Sequence, residues 1–196
     1  MADSEVKSDL QRYLQNSREA MVWKLDGLSE YDARRPLTPT GTNLLGLVKH
    51  LALVEIGYFG DTFGRPFPDP PAWANFDDDD FNADMWAAPD QSREDVVGLY
   101  RRVWEHADAT ISDLQLDARG RVPWWGDRGD VTLHLILIHM IAETDRHAGH
   151  ADIVRELIDG SAGLRQDNDN LPGVDKAMWE NYHAKVEAGA REAAGL

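Results

Sequence analysis

The sequence predicts an all-α bundle, and three observations carry that reading. Apolar residues recur at three- and four-residue steps in four long segments, the helical period. No segment alternates with the two-residue period of a half-buried strand, and no Gly-rich phosphate loop occurs. A long irregular connection separates the second segment from the third, as in a bundle with one crossover. At 196 residues the chain fits one domain. We expect residues 1–160 to form the bundle, with 161–196 as a loop and an extra C-terminal helix packed on the same domain.

The first helix is expected over Ser4–Ser29, on Val6, Leu10, Leu14, Met21, Leu25 and Leu28. Tyr31–Gly41 holds Pro36, Pro39 and Gly41 and reads as a loop. Thr42 is the expected N-cap of a second helix, Asn43–Phe63. That helix is apolar on nearly every side and therefore buried, so its polar residues His50 and Glu55 need partners. Gly64–Gln91 is the crossover. It carries prolines, the run Asp77-Asp78-Asp79-Asp80, and the aromatics Trp73, Phe76, Phe81 and Trp86, which suit a lid over one bundle end. The aspartate run lacks the alternating ligands, turn glycine and closing glutamate of a calcium loop, and reads as a solvated face. Ser92 with Asp95 resembles a capping box and opens a third helix, expected to reach Leu116. After the loop Asp117–Asp130, a fourth helix runs to Asp159 and stops at Gly160. Ser161–Gly173 reads as loop. A last helix, Val174–Ala194, offers Trp179, Tyr182 and Val186 as docking points.

Charge excludes several functions. Thirty-five acidic residues against 20 basic ones give a net charge of −15. Phosphate-backbone binding needs clustered Lys and Arg, so no nucleic-acid partner is expected, nor an anionic membrane surface. No apolar run reaches the roughly 18 residues of a membrane span, and Met1–Asp9 lacks a signal-peptide pattern; the expected location is cytoplasmic. The chain has no cysteine. That excludes disulfides, thiolate metal ligands and a cysteine nucleophile.

The chemistry concentrates on the fourth helix, which carries His134, His139, Glu143, His147 and His150. Projected at about 100° per residue, His147 falls within the apolar stripe of Leu133, Ile136, Met140, Ala151, Val154 and Ile158, with Glu143 about 40° round from it. An ionisable pair one turn apart on a buried face is either a hydrogen-bonded charge pair or two ligands of a divalent cation, which would remove the cost of burying the carboxylate. A third ligand must come from another helix, and His50 is the candidate; its alternative role is a hydrogen-bonded core histidine. Two histidines and one carboxylate with open positions make a catalytic rather than a closed structural arrangement. His139 is the reserve ligand, and His150 a residue that supports His147. Glu55 lies about 140° from His50 on its helix and is not counted as a ligand.

Two stretches carry a family resemblance. Pro39-Thr40-Gly41-Thr42-Asn43-Leu44-Leu45-Gly46-Leu47-Val48-Lys49-His50-Leu51-Ala52-Leu53-Val54-Glu55 resembles the second helix of the DinB-like bundle proteins. His139-Met140-Ile141-Ala142-Glu143-Thr144-Asp145-Arg146-His147-Ala148-Gly149-His150-Ala151-Asp152-Ile153-Val154-Arg155-Glu156 resembles their fourth. The similarity covers about Leu10–Gly160 and is to an actinobacterial branch of unassigned function. It implies a four-helix bundle holding one divalent metal ion on three helical ligands: zinc, nickel, iron or manganese. The ligand pattern falls on His50, Glu143 and His147, with Glu143 where many relatives carry histidine. It further implies a thiol-dependent transferase using mycothiol or a similar cosubstrate, or a hydrolase, and a homodimer. With no cysteine in the chain, the thiol must be a small molecule. Zinc-bound water is the rival nucleophile. A bundle that binds metal or ligand without turnover, as in a stress-response module, and a bare scaffold are the alternatives.

Outside these stretches, Trp124 and Trp125 either wall a substrate pocket or cover a core end. Arg146 suits an anionic substrate or a subunit contact. His106 and His183 show no partner pattern and are expected to be exposed. Leu133 and Leu137 are apolar surplus that a second copy would cover.

Overall fold

The computed structural model describes residues 3–74 and 81–196. The Asp77–Asp80 run and Phe76 lie outside the described residues. The fold is an all-α bundle with one small two-stranded ribbon.

Helix α1 (Asp3–Trp23) ends six residues before its expected limit. The chain turns at Gly27, where φ is +73°, so Leu25 and Leu28 extend the apolar period without extending the helix. A short α2 (Glu30–Arg34) then occupies part of the expected loop. Ser29 caps it by accepting from the Asp32 backbone N–H. Helix α3 (Leu44–Glu55) is capped by Asn43 rather than Thr42; the Asn43 side chain accepts from the Gly46 N–H at 2.8 Å. The expected second helix does not stay α-helical to Phe63. It passes into a π-helical turn, Ile56–Gly60, and a 3₁₀ turn, Asp61–Phe63.

Helix α4 (Arg93–Asp113) starts as expected. Ser92 Oγ accepts from the Asp95 N–H and donates to the Asp95 carboxylate. It stops at Asp113, and the loop after it contains an unexpected ribbon. Strand β1 (Arg119–Arg121) pairs antiparallel with β2 (Asp130–Thr132). Thr132 caps α5 (Leu133–Asp159), which ends at Gly160 with φ +81°. Helix α6 (Lys176–Ala194) buries none of its residues, and Trp179, Tyr182 and Val186 stand exposed.

Helix α1 lies along α5, and α3 packs between α4 and α5. Two apolar clusters result. One joins Met21, Leu44, Leu51, Leu99, Val103, Ala148 and Ala151. The other joins Leu14, Phe59, Ile111, Leu133, Ile136 and Met140. Leu133 and Leu137 are fully buried in that second cluster and supply no apolar surplus; the outward residues are Leu135 and Ile138. Along α5 the boundary between the clusters falls between Met140 and Ala148, the stretch that carries Glu143 and His147.

Candidate metal centre

Helical spacing brings the three expected ligands together. His50 on α3 and Glu143 and His147 on α5 each offer one ligand atom, and these atoms lie within 4.8 Å of one another. Both imidazoles address one carboxylate oxygen: His147 Nε2 stands 3.1 Å and His50 Nε2 3.4 Å from Glu143 Oε1. The two rings meet edge to face, with centroids 4.8 Å apart. His147 is 8% exposed, so the group stands at the wall of the core rather than in open solvent.

Electrostatics follow from this arrangement. Burial raises the Glu143 carboxyl, but the charges and hydrogen bonds of His147 and His50 outweigh it and hold the group below the usual glutamate range. Burial and the neighbouring His50 charge push His147 below the usual histidine value. His50 goes the other way. Burial opposes its charge, yet the hydrogen bond and charge of Asp84, with those of Glu143, raise it.

Asp84 is the residue that sequence reasoning missed. Its Oδ2 lies 2.6 Å from His50 Nδ1. A carboxylate on one ring nitrogen fixes the tautomer and turns the other nitrogen toward the site, as it does for histidines that ligate metals. The crossover delivers this carboxylate, and α3 seats it. Lys49 Nζ donates to the Ala83 and Trp86 carbonyls at 2.6 and 2.9 Å, and to Gln91 Oε1 at 3.0 Å. Asn43 Nδ2 donates to the Met85 carbonyl at 3.1 Å. Gly46 permits the approach: a Cβ there would sit 1.8 Å from the Met85 oxygen. The available signal was Lys49 itself, a buried cation beside His50 on an apolar helix, which needs acceptors from elsewhere.

The other candidates fall outside the triad. His139 packs its ring on Tyr58 and Trp125, at 4.7 and 4.9 Å between centroids. His150, exposed on the same helix, has Nδ1 3.5 Å from His147 Nδ1. His134 and Arg146 are exposed. His106, expected to be exposed, is part-buried, with Nε2 2.7 Å from the Arg65 carbonyl. Glu55 is fully buried and serves elsewhere: Arg18 donates to both its oxygens, at 3.1 and 2.6 Å, and Tyr100 Oη to one at 3.2 Å.

A cavity of about 460 Å³ adjoins Asp84. Leu53, Val54, Gly57, Tyr58, Phe67 and Trp124 contribute to its wall. The tryptophan pair divides the two roles considered for it. Trp124 lines the cavity, while Trp125 packs against the second apolar cluster. Gly57 makes room for Trp124, since a Cβ there would stand 2.6 Å from the indole Cη2.

A comparison with curated proteins gives no match. The family model described as mycothiol-S-transferase matches residues 9–160, a span that begins in α1 and ends just beyond α5. With the helical bundle that places His50 opposite Glu143 and His147, this match makes the chain a member of the mycothiol S-transferase family, within the DinB-like superfamily.

Proposed function

We propose that the chain is a divalent-metal-dependent transferase that joins a low-molecular-weight thiol, mycothiol or a close analogue, to a small electrophile. One observation carries the metal assignment: two imidazoles and a carboxylate from two helices converge on one point, while Asp84 fixes the rear nitrogen of His50. The donor set suits the ion. Nitrogen and oxygen ligands of this kind accept zinc, nickel, iron or manganese, and three protein ligands leave positions open.

A cation held by His50, Glu143 and His147 supplies a Lewis acid that lowers the pKa of a thiol at the site. The chain's own residues do the rest. Glu143 brings a negative charge that lowers the net charge of the site. Asp84 holds His50 in the ligating orientation, and Lys49 holds Asp84. The adjoining cavity, mostly apolar, receives the electrophile. Because the chain has no cysteine, no protein thiol competes with the cosubstrate.

The same reading places the protein in the cytoplasm, where thiols are kept reduced, and pairs it with a second copy. Tyr13 on α1 and Ile138 on α5, exposed apolar residues that line one groove, support pairing. Among the described residues, no helix is long and apolar enough to cross a membrane. The test is elemental analysis of untreated protein, followed by an assay of mycothiol conjugation to monochlorobimane. About one divalent ion per chain, with turnover lost on chelation, is the expected result. Metal without turnover of any electrophile would leave a binding bundle; protein that takes up no divalent ion would overturn the metal assignment.

A further inference from the structure

The phenol of Tyr58 has hydrogen-bond partners on one side only. Trp124 Nε1 donates to it at 3.4 Å and Trp125 Nε1 at 3.2 Å. A phenol can both accept and donate. Both indoles donate to this one, so its own proton is left to serve a different partner. Among the described residues no acceptor for that proton is found, although Tyr58 is only 7% exposed. Tyr58 and Trp124 both line the cavity beside Asp84. The tyrosine also sits in the π-helical turn Ile56–Gly60, a distortion that often marks functional sites. The ring itself is held by edge-to-face contacts with Trp124, Trp125 and His139.

We propose that Tyr58 is the hydrogen-bond donor for a substrate oxygen, and that the electrophile is an uncharged, apolar carbonyl compound, with a conjugated enone as the fitting class. This rests on the transferase reading and deepens it. The two indole N–H groups and the edge-to-face ring contacts hold the phenol in place, with its O–H left for a ligand in the cavity. Among the described residues the lining is apolar side chains with Asp61, Asp84, the Tyr58 phenol and the Trp124 indole, and the two carboxylates turn anionic substrates away. In the addition, the thiolate sulfur forms a C–S bond to the β-carbon. The C=C pair shifts to the bond between the α-carbon and the carbonyl carbon, and the carbonyl π pair moves onto oxygen. Tyr58 hydrogen-bonds that oxyanion and keeps its own proton. The proton given up by the thiol ends on the α-carbon, so nothing is oxidised or reduced.

The experiment compares the metal-loaded protein with its Tyr58→Phe variant, using mycothiol and two electrophiles. Benzylideneacetone carries the carbonyl; benzyl bromide lacks it. Removing one oxyanion donor lowers kcat by roughly 10²–10³-fold. That loss is expected with the enone, while benzyl bromide turnover stays within about threefold. Equal losses with both electrophiles, or none with the enone, overturn the proposal. A binding arm does not depend on turnover. The unreactive ketone 4-phenyl-2-butanone and the hydrocarbon butylbenzene are titrated against tryptophan fluorescence. A ketone affinity at least fivefold weaker in Tyr58→Phe, with hydrocarbon affinity unchanged, supports the donor role even if no thiol transfer is found. Equal ketone affinity in the two proteins, or no ketone binding to the parent, overturns it.

Discussion

Helix α3 carries His50 and Glu55 five residues apart, and the bundle treats them in opposite ways. Glu55 is enclosed. Arg18 binds it with two hydrogen bonds, Tyr100 adds a third, and Asp108 takes the remaining edge of the guanidinium at 3.0 Å. Every strong charge there has a partner of opposite sign. His50 stands in the other condition. It shares one carboxylate oxygen with His147, and among the described residues the second oxygen of Glu143 accepts no hydrogen bond. The first cluster is a closed network, whose removal in part leaves a buried charge stranded. The second is a set of donors and acceptors with capacity left over, and Asp84, which bonds His50, lines a cavity. The two clusters differ in saturation as well as in burial: the Glu55 network is closed, and the one around Glu143 is not.

The largest effect should fall on metal content. Glu143→Ala and His147→Ala each remove a proposed ligand without emptying the core, so we expect near-complete loss of bound metal and of thiol transfer. His139→Ala should retain both. Elemental analysis of the three proteins purified side by side decides this. Full metal content in Glu143→Ala and His147→Ala would show that the triad does not hold the ion.

Next in size is the closed network. Glu55→Ala leaves the buried Arg18 guanidinium with Asp108 as its one carboxylate partner, beside the neutral Gln15 side chain, and breaking a buried pair in this way costs about 3–5 kcal/mol. The urea midpoint should drop accordingly, while the folded fraction still binds one metal ion per chain. A loss of metal at unchanged stability would reverse the roles assigned to the two clusters.

How much of this was legible depends on which element supplies each residue. His50, Glu143 and His147 lie on helices, where a fixed turn converts spacing into direction; the sequence alone was enough to group them. Asp84 comes from the crossover, whose path follows no period, and its position depends on Lys49, Asn43 and Gly46 acting across 34 to 42 residues of chain. Arg18 was hidden for a related reason. A basic residue on an amphipathic helix reads as surface until the opposing Glu55 is placed. The π-turn left no trace, because the apolar residues around it continue a helical pattern through the change of winding. Three-residue strands such as Arg119–Arg121 are too short to show a period at all.

The third effect sharpens the role of the crossover. Asp84→Asn keeps the size of the side chain and removes its charge. Carboxylates that orient a ligating histidine are typically worth 10–100-fold in metal affinity. We expect a loss of that order in competition with a chelator, with the melting temperature of the metal-free protein changed little. Affinity equal to the parent's would mean that the loop, and not its charge, positions His50.

The smallest effect concerns pH and separates the two clusters by sign. Burial, then the negative charge of Glu55, raise the Tyr100 phenol well above its usual value. A raised acid is neutral in the fold when it has already ionised in the unfolded chain. Its stabilising contribution is therefore complete below the unfolded value, near 10, and is lost as pH rises beyond it, at about 1.4 kcal/mol per pH unit. Asp84 is held low by its hydrogen bond to His50, against the opposing effect of burial. Its contribution is complete above the ordinary aspartate range and is lost as pH falls. Tyr100→Phe deletes the bond to Glu55, so at pH 7 the variant should be less stable by about 1.5–3 kcal/mol, the usual worth of a hydrogen bond to a charged group. Between pH 10 and 11 that deficit should shrink by roughly 1 kcal/mol, because the parent alone pays to keep this phenol protonated. Urea denaturation of both proteins at pH 7, 10 and 11 measures the difference directly and cancels the other tyrosines and lysines. A deficit that stays constant across the three values would show that Tyr100 ionises in the folded protein as readily as in the unfolded one, and that the network around Glu55 is less closed than its hydrogen bonds imply.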